Sequence, residues 1–243
     1  MTNFFKKLGT VLHRLWNGDG PRKPWLRRVA LVIFAFLLPL PLFYLVIFRF
    51  VPVPLTPQMA GDLITFQGVN QHWRSIDSMP PALKQSVIGS EDQNFCSHHG
   101  FDFEDIEIAL KERASGKRHR GASTISQQVA RTLFLTPARN WVRKGAEAYL
   151  TVLVEFVWPK KRILEAYLNL VDFGHGNYGA EAAAQAYFRV PAAAMSPAQA
   201  ARLASILPNP DKWKATRAGK RRLNRAFART FEAAENGMDW CVR

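Results

Sequence analysis

The sequence predicts a mostly α-helical domain preceded by one N-terminal transmembrane helix. Three observations carry that prediction. Residues 29–48 read VALVIFAFLLPLPLFYLVIF without a single charge. At ~1.5 Å rise per residue such a run covers roughly 30 Å, the hydrocarbon thickness of a bilayer. From Pro80 onward, apolar residues recur at helical spacing, while strand signals are few and no internal repeat is present.

Residues 1–28 form a basic segment, in which Lys6, Lys7, Arg14, Arg22, Lys23, Arg27 and Arg28 face only Asp19. A positive flank stays in the cytoplasm, so the N-terminus is expected inside and the body outside. A cleaved signal peptide is the competing reading; the continuation RFVPVPLTP offers it no small-residue cleavage site. Residues 49–64 read as a linker, Pro-rich and stiff at its start, and residues 65–243 as the extracytoplasmic domain. Pro81 suits a first helical turn, and PALKQSVIGSED sets Leu83, Val87 and Ile88 on one face. Residues 103–113 form the next helix, closed by Ser115-Gly116. Beyond the charged loop GKRHRG, Ser123 or Thr124 can cap a helix running through Val129 and Leu133. Residues 141–158 make a long apolar-periodic helix that Pro159 stops, and PKKRILEAYLNLV starts another. A glycine-rich loop, DFGHGNYGA, precedes an Ala-rich helix over 181–188. Helices over 196–207 and, strongly basic, over 211–234 complete the chain.

The formal net charge is +14. A basic protein seeks phosphate, whether in nucleic acid, a lipid headgroup or a pyrophosphate. With the body outside the cytoplasm, nucleic acid is not the expected partner, and lipid-linked substrates are. Cys96 and Cys241 match no zinc spacing and do not force a disulfide. The segment GSEDQNFCSHHGFD and the later block GASTISQQ build no core, and polar clusters of this kind are costly to bury unless paired. They read as a site.

Five motifs stand in order: EDQNFCSHHG (91–100), GASTISQQ (121–128), RKGAE (143–147), KKRILEAYLN (160–169) and GNYGAEAAAQAYF (176–188). Together they resemble the signature motifs of the bacterial peptidoglycan glycosyltransferases, glycosyltransferase family 51, over roughly residues 65 to 215. The resemblance implies a lysozyme-like helical fold and the lipid-linked precursor lipid II as substrate. It also implies the growing lipid-linked glycan, the inner membrane, and cell-division or elongation proteins as partners. The reaction would be processive glycan polymerisation, with inversion at the anomeric carbon and release of undecaprenyl pyrophosphate. A non-catalytic membrane scaffold and a lysozyme-like glycan hydrolase are the alternatives.

The chemistry asks for a base to take a proton from the attacking sugar hydroxyl, and a carboxylate with a raised pKa suits it. Glu91, at a helix end beside Phe95, is the choice, and the resemblance makes it the base acting on the acceptor's 4-hydroxyl. By resemblance Asp92, Phe95 and His98 shape the first motif. Glu147 matches a second acid, thought to orient the pyrophosphate end or a divalent cation, Mg or Mn, the one cofactor considered. Positive charge for the leaving pyrophosphate can come from Arg131, Arg139, Arg143 and Lys144, and donors from Ser123, Thr124, Gln127 and Gln128. Tyr167 and Asn169 fall on the fourth motif but face different ways, so one of them is expected to be structural. His98 and His99 read as hydrogen-bonding rather than metal-ligating residues, and Glu165 as structural. Three positions depart from the family pattern: Ala122 for a Gly, Arg131 for a Lys, and Val190 for a frequent Lys, with Arg189 beside it. The basic stretch 212–229 reads either as a solvated face or as a contact to anionic membrane.

Overall fold

The computed structural model describes residues 37–116, 121–136, 140–217 and 219–243, with Trp25 and Arg28 besides. The basic N-terminal segment apart from those two, and the front of the anticipated span, lie outside the described residues. The rear of that span is helical as α1, Pro39–Phe48. Among the described residues no helix is long and apolar enough to cross a membrane. The chain divides into an N-terminal unit ending at Val46 and a body from Ile47 to Arg243.

Within the body the anticipated linker ends in a helix, α2, Pro57–Ile64. The reason is local: Thr56 accepts from the Met59 N–H as N-cap, and Pro57 occupies the first helical turn. Then come α3 (Pro81–Glu91), α4 (Phe103–Ala114), α5 (Ile125–Phe134), α6 (Trp141–Val157), α7 (Lys160–Leu170), α8 (Gly179–Phe188), α9 (Pro197–Ala204) and α10 (Lys220–Glu235). Two short strands, β1 (Asn70–Gln71) and β2 (Asn177–Tyr178), pair in parallel with Asn70 opposite Asn177.

Leu83, Val87 and Ile88 of α3 are buried, as their spacing requires. The core has two neighbourhoods. α5 packs on α6 and α7, whereas α3 packs on α9 and α10. α7 is buried from Ile163 through Leu170 with little interruption, as befits a helix surrounded by others. On α6, by contrast, Val142, Tyr149, Val152 and Phe156 are exposed.

The basic helix starts at Lys220 rather than at 211, because Gly219 stands extended as its N-cap. Its buried residues, Ala226, Thr230 and Ala233, form a small-residue stripe that lets α10 lie against α3. There Gly89 permits backbone contact: a Cβ at this position would stand 2.4 Å from the Arg229 carbonyl oxygen. Ser86 and Thr230 share a buried hydrogen bond of 2.9 Å across the same crossing.

Cys96 and Cys241 form a disulfide. Their sequence left the pairing open, since 145 residues separate them. The link ties the first motif to the C-terminal 3-10 turn Trp240–Val242, whose Val242 carbonyl accepts from Lys84 Nζ.

Candidate active site

Glu91 ends α3. Its carboxylate lies in a cleft of about 650 Å³ whose walls include Ser90, Gln93, Ser123, Gln128 and Arg229. α5 brings Gln128 across, and its Nε2 donates to Glu91 Oε2 at 2.8 Å. Tyr167 Oη donates to Gln128 Oε1 at 3.4 Å, which fixes the amide's orientation. Burial pushes the Glu91 pKa above the ordinary 4.5, outweighing the Gln128 hydrogen bond and the Arg229 and Arg131 charges that favour the anion. Burial, and then the charge of Glu91, push the Tyr167 phenol far up, so it stays a neutral donor. A carboxylate in this setting is a stronger base than one in water.

The rest of the first motif is scaffold. Asp92 is buried and holds His98 Nε2 at 2.9 and 3.1 Å. It also accepts from the Ile125 N–H at 2.9 Å, joining the first motif to the start of α5. His98 Nδ1 accepts from the Gly100 N–H at 3.1 Å, so the ring carries its hydrogen on Nε2. Phe95 is fully buried, with Lys160 Nζ 4.6 Å from its ring centroid. Phe95 and His98 are thus held by the fold around the motif, while Asp92, bound to both His98 and Ile125, also lines the cleft beside Glu91.

The second motif divides in the same way. Thr124 and Gln127 make a capping box at the start of α5, and Thr124 Oγ1 also donates to the Gly100 carbonyl at 2.7 Å. Both are buried and engaged, so they too position rather than bind. Gly121, Ser123 and Gln128 are the members that line the cleft. Arg131, one turn beyond Gln128, acts on Glu91 by charge. Ala122 is not strained, since the positive-φ non-glycines among the described residues are Phe66, His175 and Arg189.

The third motif forms an ion cluster on the first turns of α6. Arg143 donates to Glu147 Oε2 at 2.8 Å and Lys144 to Oε1 at 2.5 Å. Glu147 is 1% exposed, and Arg143 Nε is buried without a hydrogen-bond partner. These three residues do not line the Glu91 cleft. Thr151, which donates to the Glu147 carbonyl, abuts Gly100 and so connects the cluster to the first motif. Arg139 lies outside the described residues.

Asn169 is 1% exposed. It accepts from the Arg74 N–H at 2.7 Å and donates to the Arg74 and Glu165 carbonyls at 2.8 and 2.7 Å. It staples α7 to the segment before α3. Glu165 accepts from the Ile76 N–H at 3.0 Å, the structural part expected of it.

Sequence reasoning missed one wall. Arg221, Arg222, Arg225 and Arg229 of α10, with Trp213, line the same cleft as Glu91. The legible signal was the spacing of Arg221, Arg225 and Arg229 at every fourth residue, one face of a helix.

A divalent cation finds no protein cage here. Both oxygens of Glu147 are bound by cations, and among the described residues no three His, Cys, Asp or Glu side chains gather closely enough to hold an ion. The donor set does not fit a protein-held metal.

A family model described as Transglycosylase matches residues 59–232. The chain belongs to the transglycosylase family. Biosynthetic peptidoglycan transglycosylases are similar to it over most of its length. That of Caulobacter vibrioides is 46% identical over 220 residues, 89% of this chain and 96% of the relative. That of Chromohalobacter salexigens is 47% identical over 207 residues, 80% and 87% of the two chains. That of Bdellovibrio bacteriovorus is 42% identical over 201 residues, 80% and 79%. The family match begins inside α2 and ends inside α10, so both walls of the cleft belong to the transglycosylase domain.

Proposed function

We propose that this transglycosylase is a peptidoglycan glycosyltransferase that polymerises lipid II into glycan strands for the cell wall. The observation that carries the reading is Glu91: a carboxylate with raised pKa, oriented by Gln128, in a cleft beside cations. Glu91 takes the proton of the acceptor's 4-hydroxyl as that oxygen bonds to the donor's anomeric carbon. The bond from that carbon to the pyrophosphate oxygen breaks, and its electron pair leaves with the pyrophosphate. Attack from the opposite side inverts the centre. Arg143 and Lys144, fixed by Glu147, and Arg131 supply positive charge as the leaving group departs. A glycan hydrolase would need a second carboxyl group across the cleft from Glu91; Asp92 is instead tied to His98 and Ile125, which leaves Asp105 as the other carboxylate on the cleft wall.

In this reading the body lies outside the inner membrane, on a single N-terminal span over residues 29–48. Three observations support this: the basic flank, a disulfide, which persists in oxidising compartments, and the exposed apolar residues of α6, which suit a bilayer surface. The test is polymerisation of purified lipid II in detergent, with products resolved on a gel. Polymer from the parent and none from Glu91→Gln supports the reading; equal polymer from both would remove Glu91 from its role.

A further inference from the structure

The α10 wall of the cleft has charge that the reaction at Glu91 does not use. Arg221, Arg222 and Arg225 line it together with Trp213, and a second hollow of about 400 Å³ opens at its outer end between the same arginines, Lys220 and Gly219. Among the described residues no acid pairs with Arg221, Arg222 or Arg225. The Arg222 guanidinium stands 4.2 Å from the Trp213 ring centroid, and its Nε is buried without a hydrogen-bond partner. A buried, unbonded Nε beside an aromatic ring is a donor kept ready for a ligand.

Arg229 anchors this row at the catalytic end: it donates to the Ser90 carbonyl at 3.0 Å, and its charge reaches Glu91. From Arg229 back to Arg221 the helix runs about 12 Å. The arginines thus lead outward from the base along the cleft wall that they share with Glu91. In a displacement the leaving pyrophosphate departs on the far side of the carbon under attack, so this row does not serve it. We propose that α10 and Trp213 form a second anion subsite, for the carboxylates of the peptide borne by the sugar substrate. Guanidinium forks match carboxylates in bidentate fashion, and a short extended peptide at ~3.3 Å per residue spans the row within four or five residues. This inference rests on the functional reading above, from which it takes the substrate class.

The test is equilibrium binding of a water-soluble disaccharide–peptide, and of the same compound with its carboxylates amidated, to the full chain in detergent. The parent should bind the carboxylate form about tenfold tighter or better. In Arg221→Gln/Arg225→Gln, where Gln keeps the helix, that preference should vanish, and Arg221→Lys/Arg225→Lys should restore it only in part. Equal binding of both compounds by the parent, or a preference that survives in the Gln variant, overturns the subsite. Inorganic pyrophosphate that displaces the ligand from the parent and loses affinity in the Gln variant would reassign the arginines to a diphosphate and overturn the carboxylate assignment. Failure of the parent to polymerise lipid II would sink the functional reading and leave this binding result to be judged separately.

Discussion

Gln128 donates its side-chain amide to Glu91 Oε2 at 2.8 Å, across the junction of α5 with the end of α3. The bond orients the base, and it also tunes it, because a donor to a carboxylate favours the ionised form.

Gln128→Ala should therefore move the pH profile. Glu91 must be ionised to act, and its pKa already lies above 4.5, so kcat/KM falls as pH drops through that raised value. Removing the donor raises it further. The acid limb of the variant should lie at higher pH than that of the parent, read from initial rates across a pH series. A limb that stays put or moves to lower pH contradicts the bond's role.

Glu91→Gln should lose activity by about 10²- to 10⁴-fold, the scale of general base catalysis, without losing stability at pH 8. A raised folded-state pKa means that the neutral carboxyl favours the fold below about 4.5 and that this contribution is lost as pH rises through the folded value. At pH 8 the fold carries a desolvated anion, which Gln does not impose. A thermal melt at pH 8 should give the variant a Tm equal to or above that of the parent.

Lys144→Ala and Glu147→Ala should separate chemistry from stability. Lys144 is 43% exposed at its side chain, so its pairing adds at most about 1 kcal/mol to stability, while turnover should fall well over tenfold. Glu147 is buried between two cations, and its removal should cost about 3–5 kcal/mol in denaturant unfolding. A Lys144 variant that unfolds as readily as the Glu147 variant would contradict this division.

Breaking the Cys96–Cys241 link by Cys96→Ser/Cys241→Ser should destabilise the body by about 2–5 kcal/mol, because the bond closes a long loop in the unfolded chain. Reductant should lower the Tm of the parent and leave that of the variant unchanged.

Asn169→Ala should cost about 1–3 kcal/mol, since it removes a buried amide that bonds the Arg74 N–H and the Arg74 and Glu165 carbonyls. Loss of activity with an unchanged melting curve would return Asn169 to the substrate.

The helices were legible because apolar period, prolines and caps act over a few residues. Leu83, Val87 and Ile88 declared their face by spacing alone, and Thr124 with Gln127 wrote its own capping box. Glu91, too, could be singled out from its motif, and the fold sets it in the cleft. Other contacts depend on what a distant segment brings, and no local pattern encodes that. Phe95 and Asn169 carry motif positions yet face inward, because Lys160 covers one and Arg74 binds the other. Cys96 found a partner only when the C-terminal turn folded back beside the first motif.

By itself, then, the sequence determined most of the helices from Pro80 onward and the family, since each rests on short-range patterning. Tertiary structure alone decided which polar residues line the cleft and which are scaffold. It also decided that α10, which in sequence is only a basic helix, forms a wall. The physical reason is packing: Gly89 removes the side chain that would hold α10 away, so its arginines come to rest beside a glutamate more than a hundred residues earlier.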